Sequence, residues 1–137
     1  MNYDAKSGEY LQSKNDCAIV SIANLLKVDY ARVIRELYLV GGTEAVLRLP
    51  KRGVNGPHIH KILENLSNTK VVYRTPKRGQ DGFIGLASWH RPNRIKGHLT
   101  IIIGGTVKDT DGILYPSLEA YRVRFGFVLR GIYTFDV

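Results

Sequence analysis

The apolar residues of this chain change their spacing near residue 70, and that change restricts the folds open to it. Before this point they recur at intervals of three and four residues, the period of an amphipathic helix. Beyond it, β-branched and aromatic residues cluster between turn signals, which indicates strands. Helices followed by strands, without alternation of the two, predict an α+β fold in which N-terminal helices pack on a C-terminal, mostly antiparallel sheet.

Individual elements follow from the same patterns. The predicted helices cover residues 16–27, 30–39 and 55–66, with a short piece at 43–49 before Pro50. The predicted strands cover residues 71–73, 83–89, 99–103, 121–129 and 132–135. Asn15 or Asp16 can cap the first helix, Gly41-Gly42 ends the second, and Gly104-Gly105 makes a tight hairpin. The loop over 75–82 is the expected mobile connection within one domain.

Length and cysteine content restrict the number of domains and the cellular compartment. The chain has 137 residues, which fits one domain, and a single cysteine, which cannot form an internal disulfide. Its first six residues lack the cationic start and apolar core of a signal peptide, and no apolar run approaches the ~18 residues of a membrane span. These features predict a cytoplasmic protein without a membrane partner.

The formal net charge of +8 would attract nucleic acid, an anionic cell wall or an acidic protein. Many of the basic residues are dispersed through loops and the C-terminal part, at Lys51, Arg52, Lys77, Arg78, Arg91, Arg94, Lys96, Arg122, Arg124 and Arg130. No zinc-finger spacing or aromatic RNA-binding motif accompanies them. A solvated basic surface is the simplest interpretation, and an anionic partner is the alternative.

Cys17 lies where the first helix is predicted to begin. A helix start offers unpaired N–H groups and the positive end of the macrodipole, and both favour a thiolate over a thiol. A free cysteine is more often inert packing. Here, however, Ala18 and Ile22 help to supply the apolar face, and the polar residues Asn15 and Asp16 are adjacent. Cys17 is therefore a candidate nucleophile for acyl transfer.

A base for this thiol is expected in the sheet. His98 follows Gly97 at the head of a predicted strand, which holds an imidazole more rigidly than a loop does. If Gly104-Gly105 form a two-residue loop, Asp111 lies opposite His98 and Asp109 is its diagonal neighbour, whereas a four-residue loop places Asp109 opposite. Either carboxylate can orient the imidazole and support its charged form.

One pattern runs through these residues: a glutamine shortly before an Asp-Cys pair that opens a helix, a Gly-His pair that leads a strand, and an Asp-Thr pair after a short hairpin. The pattern resembles the papain-like cysteine peptidase superfamily, most of all its small bacterial and phage-type, bacteriocin-processing members. The resemblance implies a single papain-like domain that cleaves peptide or isopeptide bonds in a protein substrate, without a cofactor. It implies Cys17 as nucleophile, His98 as general base and acid, Asp109 as orienting residue and Gln12 as oxyanion donor beside the Cys17 N–H.

Other functions fit the same sequence. The thiol and imidazole can serve transfer to an amine, or a peptidoglycan-cleaving amidase or endopeptidase as in phage lysins, although Ala18-Ile19 stands where such lysins usually have Ser-Gly. An inert basic module that binds nucleic acid or a host protein is the non-enzymatic alternative. His58 and His60 point in different directions on a helix and do not indicate a metal site, and His90 is the second choice for the base.

Overall fold

The computed structural model describes residues 2–75, 83–92 and 97–135. Lys77, Arg78, Arg94 and Lys96, and all but the first residue of the expected mobile loop over 75–82, lie outside the described residues. The helices are α1 (Cys17–Leu26), α2 (Tyr30–Arg52), α3 (Gly56–Ser67) and α4 (Leu118–Phe125). The strands are β1 (Asn2–Asp4), β2 (Glu9–Leu11), β3 (Val71–Arg74), β4 (Ile84–His90), β5 (Gly97–Ile103), β6 (Thr106–Lys108), β7 (Leu114–Tyr115) and β8 (Val128–Phe135).

Two sheets accompany the helices within these ranges. β1 and β2 form a hairpin, and the remaining strands form a six-stranded sheet in the order β3-β8-β4-β5-β6-β7, with neighbouring strands antiparallel. The predicted α+β class, with helices first and an antiparallel sheet second, is therefore confirmed. In the part of the chain that the structure describes, no helix has both the length and the apolar character needed to cross a membrane.

The alternation of side chains along the central strands builds a core on each face of the sheet. Leu86 and Ile101 belong to the core that includes α1, α2 and α3. The next residues along the same strands, Ala87 and Ile102, belong to a second core with Tyr121 of α4. The sheet is therefore covered on both faces.

α1 is enclosed on nearly all sides, since every residue of the run 18–23 is buried. Ser21, in the middle of this run, donates its hydroxyl to the Leu99 carbonyl of β5 at 3.2 Å. A buried hydroxyl must find such a partner, so this bond fixes which turn of the helix lies against the strand. Leu99 directly follows His98, and Cys17 lies one turn before Ser21. The bond therefore sets the approach of Cys17 to His98.

α2 is divided at the predicted glycine pair. Gly42 has non-helical backbone angles, a φ of 72° and a ψ of −171°, so the predicted helix over 30–39 and the short piece over 43–49 are two helical segments joined across a kink. The glycine pair therefore ends the first segment, as predicted. The second segment continues past Pro50, which stands in its last turn, and ends at Arg52.

The strand predicted over 121–129 was wrong up to residue 127. Its first part is the helix α4, and β8 begins only at Val128 and then continues unbroken through the last predicted strand. Capping explains the difference: the Ser117 hydroxyl accepts the Ala120 N–H at 3.0 Å, and Gly126 ends the helix with a φ of 69°. These two signals outweigh the strand propensity of the aromatic and β-branched residues between them.

Candidate active site

Cys17 is the first residue of α1 and is half-buried. The turn before it is organised by Asp16, a carboxylate that is only 2% exposed. Asp16 accepts the N–H and the hydroxyl of Ser13, both at 2.8 Å, and the hydroxyl of Tyr30 at 2.9 Å. Asp16 occupies the N-cap position, but its side chain makes no cap bond, contrary to expectation. It fixes the turn instead, and the first helical N–H groups are left for other acceptors.

The β5–β6 hairpin follows the two-residue loop considered above. Ile102 pairs with Val107, and this register leaves only Gly104-Gly105 in the loop. The same register, continued, would place Asp111 opposite His98. However, β6 ends before the ladder reaches that point.

The turn after β6 brings Asp109 to the histidine instead. Asp109 Oδ1 lies 2.7 Å from His98 Nε2, and the turn is closed by the Gly112 N–H, which donates to the Asp109 carbonyl at 2.9 Å. Asp111 is exposed, and its carboxylate accepts the Ile113 N–H at 2.9 Å. Of the two candidate carboxylates, the structure brings Asp109 into contact with the imidazole.

The bond to Asp109 gives the two ring nitrogens of His98 different roles. An ionised carboxylate only accepts, so Nε2 carries the proton, and Nδ1 is left for the hydrogen bond with Cys17. Burial alone would lower the pKa of His98, but the hydrogen bonds and charges of Asp109 and Cys17 outweigh it and raise the pKa to about 9. His98 is therefore charged at neutral pH beside the sulfur.

Asp109 stays ionised because several donors satisfy it. Its carboxylate accepts the Thr110 N–H at 2.7 Å on Oδ1 and the Tyr121 hydroxyl at 2.9 Å on Oδ2. Burial would raise the pKa of Asp109, but the bond and charge of His98, with these two donors, hold it below its usual value. Burial and then the charge of Asp109 raise the pKa of Tyr121, so this hydroxyl remains a donor.

Gln12 directly follows β2, and the β1–β2 hairpin is absent from the predicted elements. The Gln12 N–H donates to the Thr110 carbonyl at 2.9 Å, and its side-chain Oε1 accepts the Thr110 hydroxyl at 2.5 Å. With Oε1 occupied, Nε2 is the amide group left to donate. The residue next to Asp109 therefore also positions the expected oxyanion donor.

Aromatic rings surround the His98 side of the site. The Phe127 ring centroid lies 6.2 Å from that of the imidazole, and Tyr121 lies 5.8 Å from Phe127 and 4.7 Å from Trp89. Trp89 is also the residue paired with His98 across the β4–β5 ladder. This apolar environment lowers the local dielectric and strengthens the interaction between His98 and Asp109.

These groups share one cleft of about 1880 Å³, which is lined by all four predicted site residues: Gln12, Cys17, His98 and Asp109. They come from the end of β2, the start of α1, the start of β5 and the turn after β6. The His98 and Asp109 side chains are 23% and 10% exposed, so the pair is sheltered while still reaching the cleft. The arrangement supplies a thiol, a base, an orienting carboxylate and an amide donor.

The other histidines lie in different surroundings. His58 packs against Gly41, where an added Cβ would lie 2.7 Å from the imidazole Cε1. His60 Nε2 lies 3.6 Å from Glu64 Oε2. His90, at the end of β4, lines the cleft but is not the histidine that the orienting carboxylate holds. In residues 2–75, 83–92 and 97–135, no group of three or more metal-ligating side chains comes together.

Thr110 and Tyr121 are the positioning residues that the sequence reasoning missed. In the sequence, Thr110 was noted only as part of the Asp-Thr pair, and Tyr121 was assigned to a strand. Ser117 and Gly126 bracket a run of helical length, and these start and stop signals could have placed Tyr121 on a helix. The bond from Thr110 to Gln12 joins residues 98 positions apart and has no local signal.

No protein-family model matches this chain, and no curated protein matches it significantly. The function of the chain is therefore inferred from the geometry of this site.

Proposed function

We propose that this protein is a papain-like thiol hydrolase that cleaves a peptide or isopeptide bond in a protein substrate. The observation that carries the proposal is the hydrogen bond from His98 Nε2 to Asp109, because it leaves Nδ1 for Cys17 at the start of a buried helix. A cysteine packed only for stability needs neither a charged imidazole nor a carboxylate behind that imidazole. The single free thiol fits a reducing compartment, which favours the cytoplasm.

A thiolate beside an imidazolium supplies both the nucleophile and the acid of acyl transfer. Cys17 Sγ attacks the carbonyl carbon, and the C=O electron pair moves onto the oxygen. The Cys17 N–H, which has no carbonyl partner inside the helix, and Gln12 Nε2 donate to this oxyanion. As the C–N bond breaks, the His98 Nδ1 proton passes to the leaving amine and a thioester remains.

Water completes the cycle. Neutral His98 accepts a proton from the water whose oxygen attacks the thioester carbonyl. The C–S bond then breaks, which releases the carboxylic acid and restores the Cys17 thiolate beside charged His98. Asp109 keeps the ring in one orientation and balances its positive charge throughout. The net change is one amide and one water converted to an amine and an acid.

The test compares four forms of the full chain: wild type, Cys17→Ala, His98→Ala and His90→Ala. Each is incubated with a denatured protein mixture, new N-termini are identified by mass spectrometry, and circular dichroism checks that each form is folded. Wild type and His90→Ala are expected to produce the same new termini, and Cys17→Ala and His98→Ala none. Cleavage by either of the last two rejects the proposal. Lysis of peptidoglycan without protein cleavage by wild type would favour the lysin alternative.

A further inference from the structure

Basic side chains line the same cleft as Cys17 and His98. They are Arg48, Lys51, Arg52, Lys61, Arg91 and Arg130, and all are exposed. Among the described lining residues the carboxylates are Asp109 and Asp111, and Asp109 is already bound to His98. The wall of the cleft is therefore strongly cationic.

None of these six cations forms an ion pair within the described residues. The basic side chains that contact carboxylates there are those of His60, His98, Lys108 and Arg122. Lys61 acts on Glu64 through its charge only. Cations gathered around one cleft repel one another, so an anionic ligand would be attracted into it and would relieve that repulsion.

One group of cations is carried by backbone that is anchored on the nucleophile side. Asn15, two residues before Cys17, donates its side-chain amide to the Pro50 carbonyl at 2.6 Å. Gly53 also closes on this turn, since a Cβ there would lie 3.4 Å from the Asn15 carbonyl oxygen. Lys51-Arg52 lie between these two contacts and therefore border the Cys17 side of the cleft.

A second group of cations lies on the base side. Arg130 Nη1 lies 3.9 Å from the position of a Cβ on Gly97, the residue before His98. The Arg91 guanidinium lies over the Phe127 ring, 5.5 Å from its centroid, and that ring is the neighbour of the imidazole. Cations therefore flank the reacting pair from both walls of the cleft.

We infer that the substrate segment is acidic, with carboxylate side chains on both sides of the scissile amide; this inference rests on the proposed hydrolase function. A polypeptide is favoured over nucleic acid because the centre of the cleft holds acyl-transfer groups, and a nucleic-acid backbone has no acyl carbon for a thiolate to attack. Attraction between exposed charges raises the rate of association and weakens as salt is added.

The test measures binding separately from cleavage. Three fluorescein-labelled peptides of equal length, with glutamate, glutamine or lysine flanks around a common centre, are titrated against full-length Cys17→Ala by fluorescence anisotropy. The glutamate peptide is expected to bind at least ~10-fold more tightly than the glutamine peptide at low salt and to lose most of this advantage at ~0.3 M salt. Equal affinity for the three peptides overturns the inference.

Pairs of charge-removing substitutions, made in the Cys17→Ala protein, show where the peptide binds. The double variant Lys51→Gln/Arg52→Gln is expected to weaken binding of the glutamate peptide ~5–10-fold. The control Arg32→Gln/Arg35→Gln removes the same charge from exposed positions of α2 outside the cleft lining and is expected to change binding less than ~2-fold. An equal loss in both variants indicates a general charge effect and overturns the inference.

Three further outcomes separate the inference from the proposed function. If wild type cleaves the glutamine peptide as fast as the glutamate peptide, acidic specificity is refuted and the hydrolase stands. If the glutamate peptide binds selectively but wild type cleaves no peptide or protein, the hydrolase is refuted and the acidic-peptide groove stands. If a single-stranded oligonucleotide displaces the labelled glutamate peptide at lower concentration than the unlabelled peptide does, nucleic acid replaces the acidic segment as the ligand.

Discussion

Removing the charge of Asp109 while keeping its shape isolates the electrostatic part of this site. In Asp109→Asn the side-chain oxygen can still accept from His98 Nε2, so the ring stays oriented but loses its anionic partner. A hydrogen bond to a charged group contributes about 1.5–3 kcal/mol, against about 1 kcal/mol for a neutral one. The difference of roughly 1–2 kcal/mol corresponds to about one pH unit or slightly more. His98 is therefore expected to titrate about that far below the wild-type pKa of about 9.

Nuclear magnetic resonance measures this change without a substrate. The chain has four histidines, so the Cε1–H signal of His98 can be identified by its loss in His98→Ala and followed from pH 5 to about 10. Asp111→Asn is the matched control. Asp111 lies two residues after Asp109, and its exposed carboxylate accepts the Ile113 N–H instead of contacting His98, so the substitution removes the same charge without touching the imidazole. It should move the titration by less than about 0.3 pH unit. An unmoved titration in Asp109→Asn, or equal movement in both variants, refutes the assignment of Asp109.

Three other predictions address the surrounding network. Thr110→Val removes the hydroxyl that donates to Gln12, the proposed oxyanion donor, and should lower kcat about tenfold with little change in KM, while Thr110→Ser should keep kcat near the wild-type value; an equal loss in Thr110→Ser contradicts this role. Tyr121→Phe leaves a sheltered oxygen of Asp109 without its donor and should lower the free energy of unfolding in urea by about 1–3 kcal/mol; an unchanged midpoint contradicts it. In the wild type, the raised pKa of His98 stabilises the fold fully below about pH 6.5, and this stabilisation is lost as the pH rises toward 9. The lowered pKa of Asp109 stabilises the fold above about pH 4, and this stabilisation is lost on further acidification. Unfolding free energies that stay flat across both ranges would contradict the coupling.

Local signals were sufficient for much of the helical half. The Asn-Gly-Pro start of α3 is confirmed, with Asn55 Oδ1 accepting the His58 N–H at 2.9 Å. Propensity failed over 121–129, because aromatic residues that favour strands also serve to cover the second face of the sheet from a helix. Capping residues mark where a helix begins and ends, and in this segment these local signals outweighed the average strand propensity of the residues between them.

Some features of the candidate site could likewise be predicted from local sequence signals, and others could not. Cys17 and His98 each stand at the start of a recognisable element, so their places in the fold could be predicted from sequence. The choice between Asp109 and Asp111 could not, because it depends on where β6 ends and on the turn that follows. The hydrogen bond between Thr110 and Gln12 could not be predicted either, because it depends on a short N-terminal hairpin whose strands are too short to show a hydrophobic period.

The bond from Ser21 to Leu99 spans 78 positions of the polypeptide. In a hydrolase built this way, a partly synthesised or truncated polypeptide that stops before residue 97 would carry the sulfur without its proton carrier. Protease activity would then appear only once the tertiary structure is complete. Its appearance during refolding would report when the helical half of the chain docks on the sheet.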